Sequence, residues 1–374
     1  MSTLFDSSQT NQFSSTFIGL GRNRVINGAF RFSQRNGANT VIVGGGGFQF
    51  GPDMTTGSSA GGTTGAFSIQ ATTNAAPGFQ TSVQLACTTA QAVITAGTEA
   101  DFRDDIEGYN ISDFGFGSAG AKSITLSFWV RSSLTGTYCI ALQNNAQSRS
   151  YVAEYVINAA NTWEYKTITA AGDSAGSWFT NNNVGLRIRF CLAAGTTFQT
   201  TANSWQGGNF FATSNQANFL SSNSSRTLDI TGIQLEIGTV ATPYEYKFYG
   251  LEQQMCQRYY EKTYDIDTVP GTVTALGLRK VSVIGATTAI AQFATDLFTV
   301  PKRIAPTMTG WSPNGVLGQV SVLGQGAADV VGTFDTTSIS TRTVEIRATA
   351  VVGSPITVNN IYQIKFHWVA DASL

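Results

Sequence analysis

Charge is what this sequence has least of. Of its 374 residues, 12% are Asp, Glu, Lys or Arg, against roughly 25% in an ordinary globular protein. The net charge is -1, and Lys and Arg are scattered. A chain with no basic excess has no counterion release to drive nucleic-acid binding, so DNA and RNA are set aside as partners. There is one histidine and there are four cysteines. Cys87, Cys139, Cys191 and Cys256 lie far apart without metal-ligand spacing, which reads as four buried thiols in a protein made in a reducing cytosol. MSTLFDSSQT at the N-terminus lacks a basic stretch leading into an apolar run, so no signal peptide is expected. The apolar runs are too short to span a membrane, and a soluble protein is expected.

Against these absences stands a hydrophobic share of 42%, which rules out a disordered chain. The polar surface must then be built mostly from Ser, Thr, Asn and Gln, and the length allows two domains with cores of their own. Residues 1–21 are Ser/Gln-rich, with Phe5, Phe13 and Phe17 spaced along them. That is too little apolar surface for a core, so they read as a peptide that docks on a partner or as a frayed terminus. VIVGGGGFQFGPDMTTGSSAGGTTGAF follows. It lacks the Lys-Ser/Thr ending of a phosphate-cradling loop and reads as a flexible surface loop flanked by strands.

Alternation of period two dominates the rest. In SITLSFWVRSS, Ile124, Leu126, Phe128 and Val130 share one face, opposite Ser127, Trp129 and Arg131. In VGLRIRFCLAAG, Leu186, Ile188, Phe190 and Leu192 oppose Arg187, Arg189 and Cys191. YCIAL, YVAEYVI, WEYKTIT and LDITGIQLEIG fill the gaps, with short polar turns between them. This predicts an all-β chain, an antiparallel jelly-roll sandwich over 22–249. A single helix is predicted at 250–262, LEQQMCQRYYEK, with Leu251, Met255 and Tyr259 as its stripe. Further strands over 263–374 predict a second, smaller β-sandwich, closing with Tyr362, Ile364, Phe366 and Trp368 on one face and His367 on the other.

Candidate chemistry is sparse. Asp101, Asp104, Asp105 and Glu107 in DFRDDIEG offer a carboxylate pair in principle, but read as a solvated acidic loop. His367 reads as solvated rather than catalytic, and no metal-ligand set appears. An enzyme is therefore not expected. If the Trp129 and Arg187 strands pair in one sheet, the face away from the core carries Trp129, Arg131, Arg187 and Arg189. This is either a ligand face or a subunit interface that pairs the arginines with acids. Trp178 and Trp205 lie in polar loops, where they either stack on a sugar or tuck back onto their own domain. Trp163, at a strand start with Tyr165, reads as core. The short helix needs its stripe buried. It is buried either on the same stripe of neighbouring chains or on the chain's own jelly roll.

The order NRVINGAF, KSITLSFWVRSS, NTWEYKTIT, DITGIQLEIG resembles jelly-roll carbohydrate-binding modules. More closely, INGAFRFSQRNG, GIQLEIGTVATPYEYKFYGLEQQMCQRYYEK and the terminal FHWVAD are similar to phage virion proteins called tail fibre or minor tail proteins. The resemblance covers 23–262 and the last strand. It implies a virion protein assembled in the bacterial cytoplasm, a homotrimer attached to another virion protein through its N-terminal segment, that binds host surface polysaccharide. Trp178, Trp205, Trp129, Arg187 and Arg189 are then the ligand candidates, and Leu251, Met255 and Tyr259 the subunit contacts. A capsid or neck decoration protein, or a polysaccharide depolymerase, are the alternatives. The modules often hold a structural calcium, but here Arg31 follows Phe30 and Thr231-Gly232 stand where acids are expected, so no cofactor is assigned.

Overall fold

Alternating Val, Ile, Phe and Thr with short polar turns can bury one face per strand only by stacking sheets, and the chain does so. The computed structural model describes residues 21–222, 226–287, 290–291, 294–324, 330–349, 351 and 357–374. Phe5, Phe13 and Phe17 lie outside them.

In chain order the first strands are β1 (Val41–Gly44), β2 (Phe48–Phe50), β3 (Thr55–Ala60), β4 (Ala66–Thr72), β5 (Ser82–Thr89), β6 (Glu99–Glu107), β7 (Ile124–Ser132), β8 (Gly136–Gln143), β9 (Arg149–Ile157), β10 (Glu164–Ala170), β11 (Val184–Ala194), β12 (Trp205–Gly207) and β13 (Thr227–Ile237). They form two antiparallel sheets, ordered β1-β4-β5-β13-β7-β10 and β12-β9-β8-β11-β6-β3-β2. The core lies between them, and Ile124, Leu126, Phe128 and Val130 from one sheet meet Leu186, Ile188, Phe190 and Leu192 from the other. The jelly roll is as the alternation predicts, and the four cysteines are buried thiols.

The glycine-rich stretch is not a loop. It supplies β1 and β4 to one sheet and β2 and β3 to the other. Its small residues are there for close packing: a Cβ on Gly57 would stand 2.5 Å from Ile69 Cδ1 and 2.9 Å from Val43 Cγ2. DFRDDIEG is likewise not an acidic loop but part of β6, with Asp101, Asp104 and Glu107 buried.

The helix α1 (Tyr249–Gln257) is shorter than predicted. Its expected end is strand β14 (Tyr260–Lys262), claimed by the last strand of the chain. That second unit contains β15 (Arg279–Thr287), β16 (Ile290–Ala291), β17 (Ala294–Leu297), β18 (Thr307–Trp311), β19 (Gln319–Gly324), β20 (Val330–Thr337), β21 (Thr343–Thr349) and β22 (Ile361–Asp371). With β14 they form a nine-stranded sheet around its own core of Val320, Val322, Val344, Ile346, Ile364 and Phe366. β22 is the spine: its first half pairs with β15 and β19, and its second half with β14 and β18. His367, expected in solvent, is 0% exposed. Tyr264 stacks on its ring at 3.9 Å, and its nitrogens face Thr263 Oγ1 at 3.2 Å and the Thr274 carbonyl at 3.1 Å.

The helix stripe is corrected at Leu251, which is 41% exposed. Met255, half-buried, and Tyr259, buried, pack with Cys256 against the chain's own Ile26 and Phe32, and Glu252 is buried beside them. The Asn27 amide donates to Glu252 at 3.2 Å, and the Tyr259 hydroxyl donates to Glu107 at 2.5 Å. Tyr259 is thus consumed inside the chain, and the helix lies on its own jelly roll. Arg258 to Glu107 at 2.7 Å, Arg35 to Asp371 at 2.7 Å and Arg303 to the Asn182 carbonyl at 2.7 Å tie the two β-units together at this joint.

Candidate functional site

The outer face of the six-stranded sheet carries an aromatic groove. Trp129 points outward from β7, opposite the core residues Phe128 and Val130. Its neighbours in register are Tyr165 on β10 and Thr231 on β13. The Trp129 and Tyr165 rings lie 5.4 Å apart, tilted at 49°. Beside Thr231, β13 carries a bulge, with Gly232 at φ +64°. Phe79 lies on that glycine, and a Cβ there would be 2.5 Å from the Phe79 ring. The bulge and the absent side chain together let Phe79 lie down on the sheet.

The far wall comes from TPYEYKFYG. Here the usual rule is inverted, with charges inward and rings outward. Glu245 accepts from the amides of Gly21 at 3.0 Å and Asn23 at 2.5 Å. Lys247 donates to the Val25 carbonyl at 2.9 Å, and its burial lowers its pKa. Gln234 accepts from the Glu245 amide at 2.8 Å, and Glu236 from the Thr242 amide at 2.9 Å. With alternate residues anchored, Tyr244, Tyr246 and Phe248 project to the other side. Phe79, Tyr244 and Tyr246 form a triangle with centroids 4.8–5.6 Å apart, and the Tyr246 hydroxyl is fixed on the Gly78 carbonyl at 2.5 Å. Phe248 is 83% exposed and Tyr165 44%.

Two lobes result. One, of about 570 Å³, is lined by Ser127, Trp129, Tyr165, Thr242 and Tyr244 among others. The second, of about 350 Å³, is lined by Arg31, Gln80, Phe248 and Tyr249 among others. Phe79 and Tyr246 line both. The charged groups around the groove are already engaged. Arg31 reaches Glu252 at 3.4 Å, Arg131 reaches Asp229 at 3.0 Å, and Arg22 reaches Glu236 at 3.4 Å.

The expected shared face of Trp129, Arg131, Arg187 and Arg189 does not exist, because the two strands belong to opposite sheets. Arg187 makes a two-pronged pair with Asp105 at 2.6 and 2.8 Å. Arg189 is fully buried, bonded to Asp101 and Glu99 at 2.6 Å each, under the Phe211 ring. The arginines are paired with acids of their own chain on β6. Trp178 and Trp205 are brought together, with centroids 5.3 Å apart, packed on Phe116. Trp205 sits on an edge strand, not in a loop. Their indole N–H groups donate to the carbonyls of Ala175 at 3.1 Å and Ala171 at 2.7 Å. They tuck back onto the domain. Trp163 is half-buried at the start of β10, outside the core. Arg31 and Gly232, at the positions where the resemblance looked for acids, serve the groove instead. Among the described residues no group of three or more His, Cys, Asp or Glu is placed to hold a metal.

Only Trp129 of the groove was singled out from sequence. Tyr165 enters the sequence reading only as the strand neighbour of Trp163, and Phe79, Tyr244, Tyr246 and Phe248 do not enter it. The available signal was Tyr-x-Tyr-x-Phe with Glu and Lys between, a period-two run whose rings and charges both need a side.

No family model matches the chain, and no curated protein does. Among solved structures, 58% of the chain is similar to part of tailspike protein 4 of bacteriophage CBA120, at 15% identity and a TM-score of 0.27; the match spans 22% of that protein's chain. The carbohydrate-binding module CBM4 matches 57% of the chain at 13% identity and a TM-score of 0.28, over 99% of its own length. The family 11 carbohydrate-binding module of Clostridium thermocellum, solved with a mixed-linked tetrasaccharide, matches 50% at 10% identity and a TM-score of 0.28, over 91% of its length.

Proposed function

We propose that this is a binding protein of a phage virion, a tail fibre that holds host surface glycan on the groove between Trp129 and Phe248. The observation that carries the reading is a set of rings held at fixed positions by buried anchors, with Tyr165, Tyr246, Phe248 and Tyr249 exposed and Trp129, Phe79 and Tyr244 half-buried between them. Pyranose rings present C–H faces that stack on aromatics, and exposed aromatic clusters on a rigid sheet have no stabilising purpose of their own. The groove wall is built from TPYEYKFYG, within the string that most resembles phage virion proteins. Binding without turnover is favoured because Asp101, Asp105 and Glu107 are each bound to an arginine, while Asp104, which has no ion-pair partner among the described residues, is buried and lines neither lobe of the groove. As a fibre the protein would assemble as a trimer and attach through residues 1–20.

Retention of purified protein on polysaccharide from the host surface tests the binding. Trp129→Ala and Tyr165→Ala are expected to weaken it, with stacking worth about 1–3 kcal/mol by analogy with nucleobases, while the melting transition persists. Release of reducing ends from the polysaccharide would replace this reading with a depolymerase. Light scattering should give three chains, and labelled protein should sit on the tail in images of the virion; label on the capsid or neck would make it a decoration protein.

A further inference from the structure

Resting on the glycan reading, we infer that the groove takes an uncharged glycan and holds at least two of its sugar units at once, one in each lobe. The first ground is the polar lining of the larger lobe. The Trp129 indole N–H and the hydroxyls of Ser127, Tyr165 and Tyr244 have no hydrogen-bond partner among the described residues. These are neutral donors and acceptors, the complement of a polyol. The Tyr244 phenol remains protonated, since burial raises its pKa well above the usual tyrosine value.

The second ground is the fate of every nearby charge. Glu245 and Lys247 are turned away from the groove into backbone hydrogen bonds. Arg31, Arg131 and Arg22 are each committed to a carboxylate of the same chain. A carboxylate- or sulfate-bearing glycan would find no cation in the lining of the larger lobe, and in the second lobe it would compete with Glu252 for Arg31. The third ground is the arrangement of the rings. Trp129 and Tyr165 in one lobe, and Phe248 and Tyr249 in the other, are separated by the wall of Phe79 and Tyr246 that both lobes share. A single sugar fills one lobe; a chain bridges the wall and gains from both.

The test is an array of neutral and anionic glycans, from monosaccharides to long oligomers, probed with the full chain at 50 and 500 mM NaCl. Neutral oligosaccharides are expected to bind, monosaccharides to bind at least tenfold more weakly, and affinity to change little with salt. Trp129→Ala and Phe248→Ala should each lower oligosaccharide affinity about tenfold or more. Phe248 is exposed enough that its loss leaves the fold intact, and Trp129→Phe serves if Trp129→Ala fails to fold. Selective capture of anionic glycans, a steep loss with salt, or equal affinity for one sugar and many overturns the inference and leaves the glycan reading standing. Capture of no glycan at all overturns both.

Discussion

Arg189 and Asp101 meet at 2.6 Å on the outer face of the seven-stranded sheet, and neither side chain has any solvent exposure. Glu99, Gln143 and Asn209 complete the guanidinium's partners. A charge so enclosed is held by its partners, and without Asp101 the buried guanidinium keeps Glu99 as its one carboxylate. Asp101→Ala should therefore destabilise the jelly roll by about 3 kcal/mol. Replacing Arg189 and Asp101 together with apolar residues of similar volume should cost much less. Urea unfolding of the single and double variants measures the difference, and equal losses would show that the pair is not the source.

The corrected face of α1 gives a sharp contrast. Cys256→Asp buries a carboxylate against Ile26, Phe32 and Tyr259, and should cost several kcal/mol or shift its own pKa to stay neutral. Leu251→Asp, on the exposed side, should stay within about 0.5 kcal/mol. Thermal melts of both decide. A large loss at Leu251 with dissociation of a trimer would return that residue to a subunit interface.

Glu164 carries a pH dependence. Burial raises its pKa, but Lys166, the amides of Ala159 and Asn158 and the Asn158 side chain outweigh this and bring it down to about 2. A carboxyl with a depressed folded pKa contributes stability that is full above its unfolded value, near 4.5, and is lost as pH falls from there toward 2. Allowing for partial solvent screening, that contribution is about 1–2 kcal/mol. The stability difference between wild type and Glu164→Gln should shrink over this window and be constant above pH 6. A difference that does not change with pH would exclude the linkage.

Gly232 should control the groove. At φ +64° with the Phe79 ring 2.5 Å from a Cβ, Gly232→Val strains the backbone and pushes Phe79 off the sheet. About 1–3 kcal/mol of stability should be lost, together with glycan retention. Thr231→Val, one residue earlier, loses a hydroxyl bound to the Thr81 carbonyl without filling the groove, and should retain binding.

The alternation of apolar residues was enough to determine an all-β chain, its jelly roll and the core faces of β7 and β11, because period two has one solution when only one face is buried. The buried thiols were legible from their isolation. Sequence failed where a position's environment comes from a distant segment. The glycine-rich stretch looked like a loop because its glycines are spaces for Ile69, Phe67 and Val43 on other strands. His367 and the last turn of the predicted helix are set by β22 and the segment that packs on it.

The groove was decided entirely by tertiary structure. Sequence shows that Trp129 alternates with core residues, but not which sheet its strand joins. Period two tells inside from outside, not neighbour from neighbour. Pairing with β10 and β13 brought Tyr165 and Gly232 to Trp129 and sent Arg187 and Arg189 to the opposite sheet, against the acids of β6. Likewise, the rings of TPYEYKFYG face outward only because the start of the chain, at Gly21 to Val25, lies close enough to bond Glu245 and Lys247.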